Sequence, residues 1–539
     1  MSKNYKSICL ILSSLLLVGC TKPANSQPPS NSTSIGTTAP IEQETYEKVQ
    51  IPTLSIHTKS QDANVMDFVT EPIARHVAES IASWTPNYNI PAEPYYEACS
   101  VSLTDSNKST LLENVDCDVK VRGNWTTTYD KKPLRLKFTE KQNLLGLNDG
   151  AEFRNWILLA CYKDASMLRD KASLAIAREL FEKDGLYAAD SQFVEVYIND
   201  EYWGVYLLTE QQQINADRVN ITEAEPDYQG TDIGYFLEFD GYFYNEEPLQ
   251  QFHVDYADNA KLKPYDGTDD SSMKMQALPK NKLEKKNDIG FTIKNEIYSQ
   301  EQHDFIASYV NNVYRILYEA AYNDKAYVFN DDYSEIHESA DISTQEAVQN
   351  VINIDSLADM YIISELTCDA DIYWSSFYMD VDFGADGDKK LTFEAPWDFD
   401  SGLGNKDRCA NGTGFYAANI VPDVDGGPKG GGTYTTINPW LAVLMHEKWY
   451  QDIIREKWSA LYDSGAFDRT YTMIAQDTAQ YADAFTKNYE KWDNIRKNDS
   501  FAMELSEGAA ACKTHADASA YLSNWLRSRV EFLNGHWHS

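Results

Sequence analysis

Residues 365–402 read ELTCDADIYWSSFYMDVDFGADGDKKLTFEAPWDFDSG. A helical run that begins near Ile354 ends in Glu365, Asp369 and Asp371, residues 374–396 read as a hairpin, and Asp398-Phe399-Asp400 closes it. Carboxylates at a helix C-terminus face the negative end of the helix dipole and cost energy there. Asp398 and Asp400 are two apart, so on extended backbone they share a face and suit one divalent cation. Acidic turn residues beside Gly402 are common on surfaces. Asp371, a hairpin and then Asp398 form a stronger pattern than either part.

Outward from this stretch, the N-terminal half alternates apolar and polar residues as strands do. Leu54-Ser55-Ile56-His57, Ala98–Val101, Val115–Val121 and Leu134–Phe138 have this period, and Phe193–Leu208 reads as a hairpin turned at Asn199-Asp200. Gly234–Phe239 and Phe291–Lys294 add strands, and Ser166–Phe181 is helical. The second half is mostly helical: Gln302–Tyr322, an amphipathic Ile354–Leu366 with Asp355 as N-cap, Asn438–Tyr462, and a run from about Asp468 to Arg496. The Gly-rich run 426–432 lacks the strand–turn–helix context of a phosphate loop and reads as a linker. The expected fold is α+β and bilobal, a β-rich part over 46–300 and a mainly helical part over 301–539.

Composition bounds the function. The chain has 539 residues, 43% hydrophobic and 13% aromatic, enough for a large core, and 47 Lys plus Arg against 83 Asp plus Glu give a net charge of −36. Nucleic acid is a poor partner for such a surface, which favours basic polypeptides. Lys3 and Lys6 precede the apolar run Ile8–Val18, and Leu17-Val18-Gly19-Cys20 resembles a bacterial lipobox. Residues 1–20 are therefore expected to be a lipoprotein signal peptide with Cys20 lipidated, and the Ser/Thr/Pro-rich residues 21–45 a disordered linker. The mature protein would then be extracytoplasmic and held on the bacterial cell membrane by that lipid alone. Cys99, Cys117, Cys161, Cys368, Cys409 and Cys512 fit no zinc pattern; Cys99 with Cys117 is the preferred disulfide, free buried thiols the alternative.

A second cluster balances the acidic one. Arg122-Gly123-Asn124-Trp125-Thr126 precedes Lys131-Lys132-Pro133 and Leu134–Phe138, and Arg135 and Lys137 point to one strand face. Two cations there suit an anion or a phosphate, or else an edge strand showing solvated side chains. Three functions stay open on these residues. They are transfer of a phosphoryl group, a surface module for a cell-wall or carbohydrate partner using the 12 Trp and 35 Tyr, and a hydrolase pairing Asp371 with Asp398 or Asp400.

The motifs together resemble the CotH kinase family, atypical protein kinases named for spore coat protein H that act on secreted or surface proteins. The resemblance covers about residues 50–465. It rests on Arg122–Thr126; Lys131–Phe138; Asn155–Leu159 with Asp164 and Leu168-Arg169; Glu195–Asn199 with Tyr202–Tyr206 and Glu210; and Pro396–Asp400. It implies a bilobal atypical protein-kinase-like fold that moves the ATP γ-phosphate to Ser or Thr with Mg2+ or Mn2+. By resemblance, Asp371 and Lys137 are catalytic, Lys137 contacting the phosphates and Asp371 the acceptor hydroxyl. Arg122, Asn124, Lys137 and Glu210 would attend the nucleotide, and Asp398, Asp400 and Asp369 the metal. Glu179 is one candidate partner for Lys137. The implied partner is a basic Ser/Thr-containing secreted or surface protein. Where the family typically carries Asn-x-Asp followed by an Asn, this chain has Asp369-Ala370-Asp371 and Ser375 or Ser376. That departure implies a weaker second metal site or an inactive pseudokinase.

Overall fold

Alternation of apolar and polar residues turns the first half of the chain into a closed sheet. Seven strands, β1 (Thr53–Thr58), β2 (Glu97–Thr104), β3 (Thr110–Val121), β4 (Leu134–Gln142), β5 (Phe153–Leu159), β6 (Ser191–Ile198) and β7 (Glu201–Glu210), form a barrel in the order β1-β2-β3-β4-β5-β7-β6. The computed structural model describes residues 46–60, 62–255, 261–268, 276–277, 289–369, 371–406, 412–419, 421–422, 435–495 and 505–539. Cys20 with its signal segment, the 21–45 linker, Cys409 and the 426–432 run lie outside the described residues.

Leu54, Ile56, Val101, Val119, Leu134, Leu136, Phe138 and Leu208 fill the barrel, while Arg135 and Lys137 point outward from it. β4 lies between β3 and β5, so the edge-strand reading of its cations is corrected: closure leaves no edge there. Asn199 and Asp200, with φ of 50° and 65°, make the tight β6–β7 turn. Cys99 and Cys117 are opposed in the β2–β3 register, yet both thiols are free, which corrects the expected disulfide. Each sulfur instead meets a carbonyl of its own strand, Glu97 O at 3.3 Å and Asp118 O at 3.6 Å, and burial pushes the Cys99 thiol up to about 12.

Two short helices, α1 (Asp67–Thr70) and α2 (Arg75–Trp84), interrupt the barrel, and α3 (Arg169–Phe181) leaves it after β5. The Asp164 carboxylate accepts the Ser166 and Arg169 backbone N–H groups (2.8 and 2.9 Å) and pairs with the buried Arg169 guanidinium, which starts α3 firmly. A four-stranded sheet follows, ordered Phe377–Asp382, β8 (Gly234–Asp240), Gly290–Ile293 and Gln251–Phe252. It draws strands from both sides of residue 300.

The rest is helical: α4 (Gln300–Asn323), α5 (Thr344–Gln349), α6 (Ile354–Thr367), α7 (Pro439–Ala442), α8 (Lys448–Asp463), α9 (Ala466–Gln480), α10 (Ala482–Trp492), α11 (Glu507–Ala511) and α12 (His515–Trp537). The architecture is thus α+β, β-rich first and helical later. Every residue of α6 except Asp355 is buried among α3, α8 and α12, so it is not amphipathic, and its N-cap is Asn353, whose side chain accepts the Ser356 N–H, rather than Asp355. Among the described residues no helix is long and apolar enough to cross a membrane.

Candidate active site

α6 ends with Cys368 in the left-handed region (φ 49°), and the chain turns sharply. The buried Asp369 accepts the Asp371 N–H (2.9 Å), and the Asp371 carbonyl accepts the N–H groups of Trp374 and Ser375 (2.7 and 2.8 Å). This turn holds the Asp371 side chain beside the segment that runs from the Leu391 and Thr392 bridges to Trp397. There Asp398 also takes a left-handed conformation (φ 70°), and Asp371, Asp398 and Asp400 each offer one oxygen, all within 4.8 Å of one another. All three are partly open to solvent. Asp369, expected beside them, serves the backbone of the turn and is not one of this trio.

Burial, reinforced by the Asp371 and Asp400 charges, pushes Asp398 up to about 7, against the pull of Arg122 and Lys163. Asp400 is raised as well, chiefly by burial. A fourth carboxyl, Asp170 in the first turn of α3, is buried against them and raised well above the usual range by burial, then by Asp400 and Asp398. Its Oδ1 accepts the Phe399 N–H (3.0 Å), which fixes the backbone between Asp398 and Asp400. Carboxylate oxygens are hard donors, and crowded like charges in a half-dry setting are what a divalent cation compensates, so the donor set fits Mg2+ or Mn2+. Ser376, at φ 59°, directs its hydroxyl to Asp398 Oδ2 (3.3 Å) and its N–H to Glu238 Oε1 (2.9 Å).

Beside the trio a cleft of about 790 Å³ runs between the barrel wall and the four-stranded sheet. Lys120, Arg122 and Arg135 line it from β3, β4 and the turn between them; Gln211 and Gln212, directly after β7, line it too, as do Lys294 and Tyr378. Lys120 and Arg135 are directly opposite in the β3–β4 register. Like charges so placed repel. Burial and then the neighbouring Arg135, Lys137 and Arg122 charges lower the Lys120 ammonium below its ordinary value. Among the described residues no carboxylate forms a salt bridge with Lys120, Arg122 or Arg135. Arg122 joins the two halves of the site: it lines the cleft, lies 5.9 Å from the Trp397 ring centre and acts on Asp398. Gln211 Oε1 and Gln212 Nε2 are buried without a hydrogen-bond partner.

Several expected residues stand elsewhere. Lys137 shares the outward face of β4 but is exposed and outside the cleft lining, 5.8 Å from the Tyr96 ring; Arg135 is the β4 cation that lines the cleft. Asn124 is exposed and its carbonyl accepts the Thr127 N–H (3.1 Å). Glu210 is buried, accepting Tyr187 Oη–H (2.8 Å) and the Asp190 N–H (3.2 Å), and burial pushes it up to about 7. It stands one residue before the cleft, not in it. Glu179 pairs with Arg469, whose Nε donates to it at 2.9 Å, so the expected Lys137–Glu179 contact is corrected. Sequence reading missed Lys163, Asp170 and Arg529. The Arg529 guanidinium, from α12, is buried against Glu365, donating to its carboxylate Oε1 (2.6 Å) and its carbonyl while also holding Gly414 O (2.7 Å). Glu365 in turn accepts the Tyr416 and Ala417 N–H groups (2.8 and 2.9 Å), so α12 braces the end of α6 from which Asp371 hangs.

No curated protein matches the sequence. The CotH kinase protein family profile matches residues 119–533, from the end of β3 into the last helix. The match starts later and runs further than the motifs suggest, leaving β1 and β2 outside and including α12 with Arg529. With most of its length matched, the chain belongs to the CotH kinase family.

Proposed function

We propose that this protein transfers the γ-phosphate of ATP to Ser or Thr of a basic secreted or surface protein, on the outer side of the cytoplasmic membrane, anchored through Cys20. Membership of a kinase family implies ATP and a divalent metal in general. The observation that carries the reading is the juxtaposition of three cleft cations, without a carboxylate salt bridge among the described residues, with a three-carboxylate cluster, linked by Arg122. In an acidic protein, Lys120 facing Arg135 is a costly arrangement that a polyphosphate relieves. A carboxylate-pair hydrolase or a surface module leaves those cations without work.

Asp371, Asp398 and Asp400 would hold Mg2+, which when bound screens charge on the phosphates. The barrel and the helical part then act as two lobes around the triphosphate. Lys120, Arg122 and Arg135 bind and orient its oxygens, and the unpartnered Gln211 and Gln212 amides meet the base. Asp371 accepts the proton of the incoming hydroxyl as its oxygen bonds to the γ-phosphorus. The bond from that phosphorus to the bridging oxygen breaks, and ADP departs. Positioning and charge stabilisation supply the acceleration.

The test is incubation of the purified protein with labelled ATP, Mg2+ or Mn2+, and a basic Ser-containing protein. Label transfer that disappears in Asp371→Ala and Arg135→Ala supports the reading. ATP binding with no transfer identifies a pseudokinase, and absence of nucleotide binding refutes the kinase altogether.

A further inference from the structure

Lys294 lines the cleft and has no task in the reading above, and it stands on the other wall. Lys120, Arg122 and Arg135 belong to the barrel, whereas Lys294 follows the strand Gly290–Ile293 of the four-stranded sheet. Its backbone N–H donates to Phe236 O (2.7 Å), which extends the pairing of that strand with β8 by one residue. Its ammonium donates to Glu238 Oε2 (2.7 Å), the one acceptor it meets among the described residues. An ammonium carries three donors. The side chain is 34% exposed, so the remaining donors can meet a cleft ligand.

Glu238 ties this lysine to the carboxylate trio. It sits on β8 between two strands, directly opposite Thr292 on one side and Tyr378 on the other. Only 7% of it is exposed, and both carboxylate oxygens are engaged, Oε2 with Lys294 and Oε1 with the Ser376 N–H (2.9 Å). Ser376 holds a left-handed backbone (φ 59°) and turns its hydroxyl to Asp398 Oδ2 (3.3 Å). A residue other than glycine keeps such a conformation only where its surroundings fix it, and the Glu238 carboxylate is what takes its N–H. A continuous path thus runs from a cleft cation to the trio: Lys294 to Glu238, Glu238 to Ser376, Ser376 to Asp398. The other carboxylates near Lys294 leave its ammonium available. Asp240 engages the Tyr242 N–H (2.7 Å) and the Thr292 hydroxyl (2.9 Å), and burial, then the Glu238 charge, pushes it up to about 7. Glu246 stands exposed on the cleft rim.

We infer that Lys294 grips the phosphate chain from the sheet wall and that Glu238 is the positioning residue that sets this grip in register with Asp398. The inference rests on the kinase reading for the identity of the ligand as a nucleoside di- or triphosphate. A phosphate bound at Lys294 and a cation bound at Asp398 each order the same carboxylate. Less ordering therefore remains for whichever binds second, and the two ligands help one another beyond their direct contact.

The probes are ADP, followed by calorimetry without metal, and Mn2+, followed by electron paramagnetic resonance with and without ADP. Lys294→Met is expected to weaken ADP about tenfold, with Lys294→Arg regaining most of the loss, and to leave binding of Mn2+ alone within about twofold. Glu238→Gln is expected to weaken ADP about threefold. That sign is diagnostic, because taking a negative charge from beside an anion site strengthens anion binding unless the carboxylate holds the cation in place. The tightening of Mn2+ by ADP should shrink in Glu238→Gln and shrink no further in the double variant Glu238→Gln/Lys294→Met. The double variant leaves neither charge of the pair without its partner, so the test stays readable if Lys294→Met fails to fold. ADP affinity unchanged by loss of Lys294, tighter ADP in Glu238→Gln, or additive losses in the double variant each overturn the inference and leave the kinase reading intact. Inorganic tripolyphosphate bound through Lys294, with no binding of ADP or ATP, refutes the kinase reading and leaves the grip standing.

Discussion

Two groups of carboxylates in this protein begin from the same physics and end differently. Asp371, Asp398 and Asp400 crowd together at the edge of a cleft, partly open, with Arg122 and Lys163 nearby. Asp380 and Glu394 are 4% and 5% exposed and hydrogen-bonded to each other, and no cation pairs with them among the described residues. Burial raises both groups: Glu394 to about 7, and Asp380 well above the usual range by burial and then by Glu394. Burial pushes the inner pair toward the protonated form, and the Tyr187 N–H donates to Glu394 Oε2 (2.6 Å). The trio is left for a metal. Raised carboxyls alone therefore do not mark a site; access and unpaired cations beside them do.

The most severe way to break the comparison is Asp398→Asn, which removes the charge and keeps a residue suited to the left-handed backbone there (φ 70°). Loss of this trio member is expected to lower phosphoryl transfer at least about a thousandfold, measured with labelled ATP at saturating Mg2+. The same change removes like-charge repulsion, so melting temperature without metal should rise. A fall in metal-free melting temperature would mean the trio is held by something other than a cation.

A third carboxylate extends the contrast, because Glu365 is compensated by an arginine. Arg529→Met leaves the wholly buried Glu365 without its partner and is expected to cost about 3 kcal/mol of stability, read by urea unfolding. Glu365→Gln should cost less, since its amide still accepts from Arg529. If both cost nothing, the brace between α12 and the Asp371 turn is incidental.

These compensations differ in how readily a sequence shows them. The barrel was legible because alternation is local: Leu134, Leu136 and Phe138 go inward and Arg135 outward whatever lies beyond. Asp371 and Asp398 were legible because a short hairpin relates them. Arg529 stands 164 residues from Glu365, and nothing near either announces the other. The family resemblance points to Lys137 as the phosphate residue, while chemistry alone does not separate it from Arg135, two residues earlier on that strand, which lines the cleft. Cys99 and Cys117 show the limit of register, which placed them opposite each other without joining them. α6 misled in the other direction: helices on three sides bury its polar face too, and pairing with Arg529 makes a buried Glu365 tolerable.

The inner pair gives a pH signature. Glu394 holds its proton to about pH 7 when folded, whereas in the unfolded chain it ionises near the ordinary 4.5. Between those values the unfolded state binds fewer protons, so the Glu394 contribution falls as pH rises from about 4.5 to 7 and levels above, while Asp380, raised further, keeps stability falling beyond. The contribution lost is about 3 kcal/mol. Glu394→Gln should flatten that slope, measured by unfolding at stepped pH. A slope unchanged by the variant would show that Glu394 is not the group that titrates.

The smallest expected effect bears on how completely the trio is equipped. Ser376 is one of the two serines that stand where the family resemblance implies an amide, and it is the one whose hydroxyl reaches Asp398 Oδ2, at 3.3 Å. Its φ of 59° is a conformation that Asn adopts more readily than Ser, so Ser376→Asn fits the backbone without new strain. An amide oxygen is a better ligand for a hard cation than a neutral hydroxyl. The variant is therefore expected to lower the metal concentration giving half-maximal transfer by roughly threefold, about 0.7 kcal/mol, with little change in melting temperature. A higher metal requirement would indicate that the hydroxyl itself orients Asp398. Because Glu238 accepts the Ser376 N–H through the backbone, that anchor survives the substitution and leaves ligand chemistry as the variable.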